Sequence, residues 1–241
     1  MIIKWKSNLI FGDVNLSDYE AFTFYKSHYD GAERDVELIS VPGRNGDLII
    51  DNKRYKNMDV EYRAKISGQT NAHFLRAALL SQIGYQRIED DYEPEMYRIG
   101  RLKQSPEMNQ SVIDAVSMTL TFDCKPQRYL KSGEIEKEFT SNGSIYNPTL
   151  YNARPLVRVY GYGEVGIGGN TITIVPPASG ETRTYIDIDC DLQDAYTGTT
   201  NQNEKIELSS GKFFELAPGE NGVSLDTHIT KVIITPRWET Q

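Results

Sequence analysis

Alternation with a period of two is the feature that most constrains this chain. Residues 58–66, MDVEYRAKI, set Met58, Val60, Tyr62, Ala64 and Ile66 against Asp59, Glu61, Arg63 and Lys65. That is the pattern of a strand with one buried and one wet face. Val112–Cys124 repeats it, with Val116, Met118, Leu120, Phe122 and Cys124 opposed to Ser117, Thr119, Thr121 and Asp123. A run of that length is expected to be divided by a bend or bulge. One helix interrupts the strands. From Thr70 to Ile83, Phe74, Leu75, Ala78, Leu79 and Ile83 recur at three- and four-residue steps, with Thr70 or Asn71 as cap and Gly84 as left-handed stop. Between the apolar runs VELISV and DLII, Pro42-Gly43-Arg44-Asn45-Gly46-Asp47 spells a turn. The segment Glu89–Ile99 carries too much charge, and a proline, for a central strand, so its first part reads as an exposed loop.

The pattern breaks near 130–148, where KSGEIEKEF and TSNGSIYNP bring Ser, Gly and Asn together. Two domains are expected, 1–130 and 131–241. Beyond the break, short strand-like runs follow one another without a helix: 155–160, 164–167, 171–175, 184–190, 205–208, 212–216 and 229–235. Their spacing is that of an all-β sandwich, a jelly roll being the natural form.

Composition excludes several classes. Of 241 residues 39% are hydrophobic and 25% charged, enough for packed cores. Residues 1–130 hold 17 Lys/Arg against 19 Asp/Glu, and residues 131–241 hold 9 against 15, so neither half has the basic footprint of a nucleic-acid binder. Lys53, Arg54 and Lys56 sit among Asp51 and Asp59 and read as a solvated strand edge. Cys124 and Cys190 lie in alternating apolar runs without CxxC spacing, as small hydrophobes. No run approaches 18 consecutive apolar residues, and MIIKWKSNLIFGD has no leader pattern.

Catalytic and ligand-binding signatures resolve into structural ones. Gly161-Tyr162-Gly163-Glu164-Val165-Gly166 has GxGxxG spacing, but it runs on through Gly168-Gly169-Asn170 into TITIV. A dinucleotide site needs the motif to open a helix, so a hairpin is expected here. Asp187, Asp189 and Asp191 have the first spacings of a calcium loop, yet Leu192 and Gly198 stand where it needs Gly and Glu. His28, His73 and His228 are scattered without ligand spacing, and no GxSxG or HExxH is present. No catalytic, cofactor-binding or metal residue is nominated, and the chain is read as a non-enzyme.

The order of several short motifs resembles the distal tail proteins of long, flexible-tailed phages and prophages. The resemblance covers VPGRNGDLIIDNKRYKNMDV (41–60), LRAALLSQIGYQRIEDDYEPEMYRIGRL (75–102) and FDCKPQRYL (122–130). It continues through NPTLYNARPLVRVYG (147–161), IDIDCDLQDAY (186–196), FFELAPGENGV (213–223) and ITPRW (234–238). The resemblance implies a mainly β fold. Its first domain would be a tail-tube-like β-sandwich or split barrel with one α-helix, assembling into a homohexameric ring. Its second would be a galectin-like β-sandwich at the periphery. It implies a virion tail protein, assembled in the host cytoplasm, that joins the major tail tube protein to the tail-tip hub and carries receptor-binding and baseplate proteins. No membrane and no sequence-specific nucleic acid are implied, DNA at most passing through the ring. A carbohydrate-binding jelly roll in host adsorption is the alternative. Against it, residues 131–241 contain one Trp, Trp238, one His, His228, and no His-x-Asn-x-Arg run. Aromatic surface is expected instead from Tyr146, Tyr151, Tyr160, Tyr162, Tyr185 and Tyr196.

Overall fold

The computed structural model describes residues 7–27, 31–112, 114–181 and 183–241. The chain divides into two compact units, one up to Arg128 with Gln241, the other Tyr129–Thr240. Both are mainly β, as the alternation requires.

In the first unit the chain passes through β1 (Leu9–Phe11), β2 (Val14–Asn15), β3 (Ala21–Lys26), β4 (Arg34–Ile39), β5 (Leu48–Tyr55), β6 (Met58–Ser67) and α1 (Gln69–Ser81). It continues through β7 (Gln86–Asp90), β8 (Met96–Leu102), β9 (Glu107–Val112) and β10 (Ala115–Leu130). The main sheet runs β2-β1-β7-β8-β10-β6-β3, with β9 also on β10. Ser7 bridges Thr23 on the outer side of β3 just before the chain enters β1, so the sheet curls back toward its own start. This is a split barrel. The two alternating sequences form its longest antiparallel pair, with Phe122 opposite Val60, Leu120 opposite Tyr62 and Val116 opposite Ile66. Their apolar faces point inward because burying them removes the most carbon surface from water. Phe122 lies 4.9 Å from Phe11 and meets Tyr62 edge-on.

The expected division within Val112–Cys124 is found: Val112 ends β9, and the chain returns in β10, with a register shift between Ala115 and Val116. Two other local expectations are corrected in this unit. The helix begins earlier than its polar residues indicated. Gly68, at φ 78°, precedes it without a side-chain cap, Asn71 instead donates to the Ser67 carbonyl, and the helix ends at Ser81 before Gly84. Its buried stripe is Ala72, Leu75 and Leu79, while Phe74 and Ile83 face solvent. The charged segment Glu89–Ile99 is the end of β7, a turn and the start of β8, two strands inside the sheet, and its Asp90 and Glu93 point inward because cations wait there for them.

In the second unit β11 (Lys137–Phe139), β12 (Gly143–Asn147), β13 (Leu156–Gly161), β14 (Gly163–Ile167), β15 (Asn170–Ile174) and β16 (Ile186–Asp189) come first. They are followed by β17 (Asp194–Thr197), β18 (Thr200–Asn201), β19 (Ile206–Leu208), β20 (Gly219–Leu225) and β21 (Ile229–Thr235). Two sheets form, β11-β21-β13-β16-β17-β18 and β12-β20-β14-β15-β19. Their inner faces share one core, including Val157, Ile188 and Ile234 from the first and Val165, Ile172 and Val223 from the second. That is a sandwich. The Ser/Gly/Asn-rich segment after residue 130 is not an open linker: it contains a short 3-10 turn, β11 and β12. The stretch 212–216 forms no strand and contributes a single bridge, Leu216 to Ala153.

Candidate interaction surface

The glycine motif at 161–166 is explained by close packing. Gly161 and Gly163 adopt φ of 106° and 110°, and a Cβ at Gly161 would sit 2.2 Å from the His228 carbonyl oxygen. Gly161 ends β13 and Gly163 opens β14, so no helix opens toward a phosphate. The aspartates likewise face arginines. Arg158 grips Asp187 with two bonds of 2.7 and 2.9 Å, Arg237 grips Asp189 at 2.8 and 2.9 Å, and Arg154 reaches Asp191 at 3.4 Å. Burial pushes the Asp189 carboxyl up, but Arg237 holds it below the usual range. Burial also pushes both thiols up to about 12, and each packs in a core. Among the described residues no three metal-ligating side chains converge.

His28 lies outside the described residues. His73 is exposed on α1, and His228 stacks on Tyr162 with ring centroids 4.7 Å apart. A concavity of about 730 Å³ lies beside β3, walled mainly by carbon and including Ala21, Phe22, Ile66 and Ala115. Among the described residues its lining contains no His or Cys.

Trp238 is 5% exposed within the second core, so it presents no face for a sugar ring to stack on. The six tyrosines divide. Tyr160 and Tyr185 pair at 5.9 Å, with Arg158 over Tyr185, while Tyr146 and Tyr151 stand exposed. The latter two flank a loop built on a buried side chain. Asn147 donates to the Tyr151 and Leu216 carbonyls at 2.8 and 2.9 Å and accepts from the Thr149 amide and hydroxyl, both at 2.9 Å. The loop thus fixed carries Leu150, 88% exposed.

The largest departure from ordinary burial is β4–β5. These strands form a two-stranded sheet of their own, and every residue from Val36 to Arg54 is exposed. Their register places Leu38 opposite Ile49 on one face, and Ile39 opposite Leu48 on the other. Leu38 is 60% and Ile49 64% exposed, and Val36, Val41 and Ile50 extend the apolar surface. Isolated two-stranded hairpins are marginal in water, and an arm apolar on both faces calls for cover on both. Its root is held by ion pairs, Arg34 to Asp51 and Arg54 to Asp35, each at 2.7 Å. Of the basic cluster at 53–56, Arg54 therefore serves the arm's own base. Sequence reasoning finds the turn between the apolar runs VELISV and DLII but not their exposure, since apolar runs look alike whether their cover is in the same chain or another.

The fold and surfaces define a mainly β protein of two units, a split barrel with a projecting apolar arm followed by a sandwich. No protein-family model matches the sequence, and no curated protein sequence matches it. Among solved structures the chain is similar to the SPP1 Dit (gp 19.1) protein, with 15% identity over 95% of this chain and 97% of that one and a TM-score of 0.68. That crystal structure is titled as a paradigm of the hub adsorption apparatus in phages infecting Gram-positive bacteria. The chain therefore has a Dit-type fold, the one its motifs resemble.

Proposed function

We propose that this protein is a non-catalytic structural component of a phage or prophage tail, acting at the distal tail end. In this reading residues 1–130 form a tail-tube-like domain that closes into a homohexameric ring. Residues 131–241 form a galectin-like domain at its rim. The ring joins the major tail tube protein to the tail-tip hub, and the rim carries receptor-binding and baseplate proteins. The observation that carries the reading is the two-faced apolar arm β4–β5, supported by the Dit-type fold. Head-to-tail contacts that complete a rotation produce closed rings, and an arm buried by neighbours on both faces fits such a contact. Burying one of its large aliphatic side chains stabilises an interface by about 1.5–3 kcal/mol. Seven such residues, Val36, Leu38, Ile39, Val41, Leu48, Ile49 and Ile50, give the arm ample driving force. In the second unit the fixed loop bearing Leu150 between Tyr146 and Tyr151 supports protein docking, since a preorganised apolar contact loses little entropy on binding.

Native mass spectrometry and negative-stain microscopy of the purified protein test this. The expected species has six times the 27.3 kDa chain mass and appears as a ring with a central bore. Particles with only two-fold symmetry, alone or with the tube protein added, would sink the ring.

A further inference from the structure

The first unit encloses a cluster of charge. Lys26 on β3 lies 2.9 Å from Asp90 and 2.6 Å from Glu93, and Arg128 on β10 donates to Glu93 at 2.6 Å. Asp90 is saturated: it also accepts from the Tyr62 hydroxyl at 2.6 Å and from the amides of Tyr92 and Glu93. Arg98 on β8, 5% exposed, completes the cluster, and its one hydrogen bond is a 3.4 Å contact from Nη1 to the thioether of Met58. Arg128 also donates to the Gln241 oxygen, so Arg98 is the cation here without an ion pair among the described residues. Among the described residues the buried Nε–H groups of both Arg98 and Arg128 find no acceptor. Such donors are costly to orphan, and a buried guanidinium that lacks a counter-ion more so.

Both arginines line one small void, together with Lys26, Asp90 and Glu93. Its volume is about 10 Å³, the space of a single water molecule. We propose that this void is a specific internal water site. The water accepts from Nε of Arg98 and of Arg128 and donates to Glu93, whose carboxylate holds only Lys26 and Arg128 and keeps lone pairs open. Water bridges of this kind are nearly as favourable as direct hydrogen bonds. The site converts Arg98 from an unpaired buried cation into one coupled to Glu93, and it ties the β7–β8 turn to β8 and β10. A halide would meet the same donors, but it is larger than water and exceeds the void.

Crystals of the wild-type protein diffracting to near-atomic resolution, grown with sodium bromide, decide the matter. One water peak within hydrogen-bond distance of both Nε atoms, without anomalous signal, is the expected result. A bromide peak there, or an empty void, overturns the assignment. In solution, magnetic relaxation dispersion of the water nuclei should count one fewer long-lived water in Arg98→Met than in wild type. An unchanged count in a folded variant contradicts the proposal.

Discussion

At the scale of single residues, the side chains that organise this molecule are polar ones that the sequence disguises. Asn147 is an ordinary turn residue on paper, set before a proline in a Ser/Gly/Asn-rich segment. In the fold it is buried and makes three hydrogen bonds within the loop that presents Leu150, with a fourth to the Leu216 carbonyl. Asn147→Ala leaves the buried Thr149 amide without its acceptor, at about 1–3 kcal/mol, while the Tyr151 and Leu216 carbonyls keep the Thr149 hydroxyl and the Ala153 amide as donors. Urea melts should show at least that loss, with the slope of the transition unchanged. A midpoint equal to wild type would mean that water replaces the amide fully. Gly161 is the converse case. The GxGxxG spacing was legible, and its flanking β-runs rightly pointed to a hairpin, but the reason for glycine lies in the His228 carbonyl 65 or more residues away in sequence. Gly161→Ala should destabilise the sandwich, since any Cβ there meets backbone and the φ is strained as well. Retention of the wild-type thermal midpoint by that variant contradicts the packing account.

Elements were legible where their partners lie close in the pattern and obscure where they do not. The alternation in Met58–Ile66 and Val116–Cys124 identified both long strands and their inward faces, because a period of two fixes every side chain once one face is buried. The helix is legible, but its apolar residues outnumber the stripe the core accepts, so Phe74, which shares the apolar spacing, lies outside. The charged β7–β8 turn reads outward in sequence because charge prefers water. Lys26 and Arg128, remote in sequence, are what draw it in. The arm β4–β5 was the least legible, since nothing within the chain covers it among the described residues. Its role is testable by the double variant Leu38→Asp, Ile49→Asp. Circular dichroism should be unaltered, since neither side chain is in a core, while the assembled species should fall to monomer in native mass spectra. A ring that survives both charges would remove the arm from the interface. Trypsin adds a second check. Arg44 at the arm's tip should be nicked first in any monomer and be shielded after assembly.

Across the whole molecule, stability should follow carboxylates whose surroundings pull in opposite directions. In the first unit burial pushes Asp90 and Glu93 up, but Lys26 and its neighbours hold both below their usual range. In the second unit Arg237 does the same for Asp189. Groups with depressed values contribute stability that is complete above their ordinary values of 3.8 and 4.5 and is lost as pH falls through the lower folded values. Glu239 runs the other way. Burial pushes it up to about 7, against a lowering by Arg154, while Asp191 and Glu215 add to the rise. Its folded form holds a proton more tightly than the unfolded chain does. Its contribution is therefore full below 4.5, falls as pH rises from there, and is gone above about 7. The two tendencies together place maximum stability near pH 4–5, on the acid side of neutrality. Scanning calorimetry between pH 3 and pH 8 should show the transition of the second unit moving down between pH 5 and pH 7. Glu239→Gln, which carries the neutral form at every pH, should flatten that segment and melt higher than wild type at pH 8, while leaving the loss below pH 4 intact. If the variant keeps the wild-type slope between pH 5 and pH 7, the proton is not held on Glu239, and the account of its buried carboxyl is wrong.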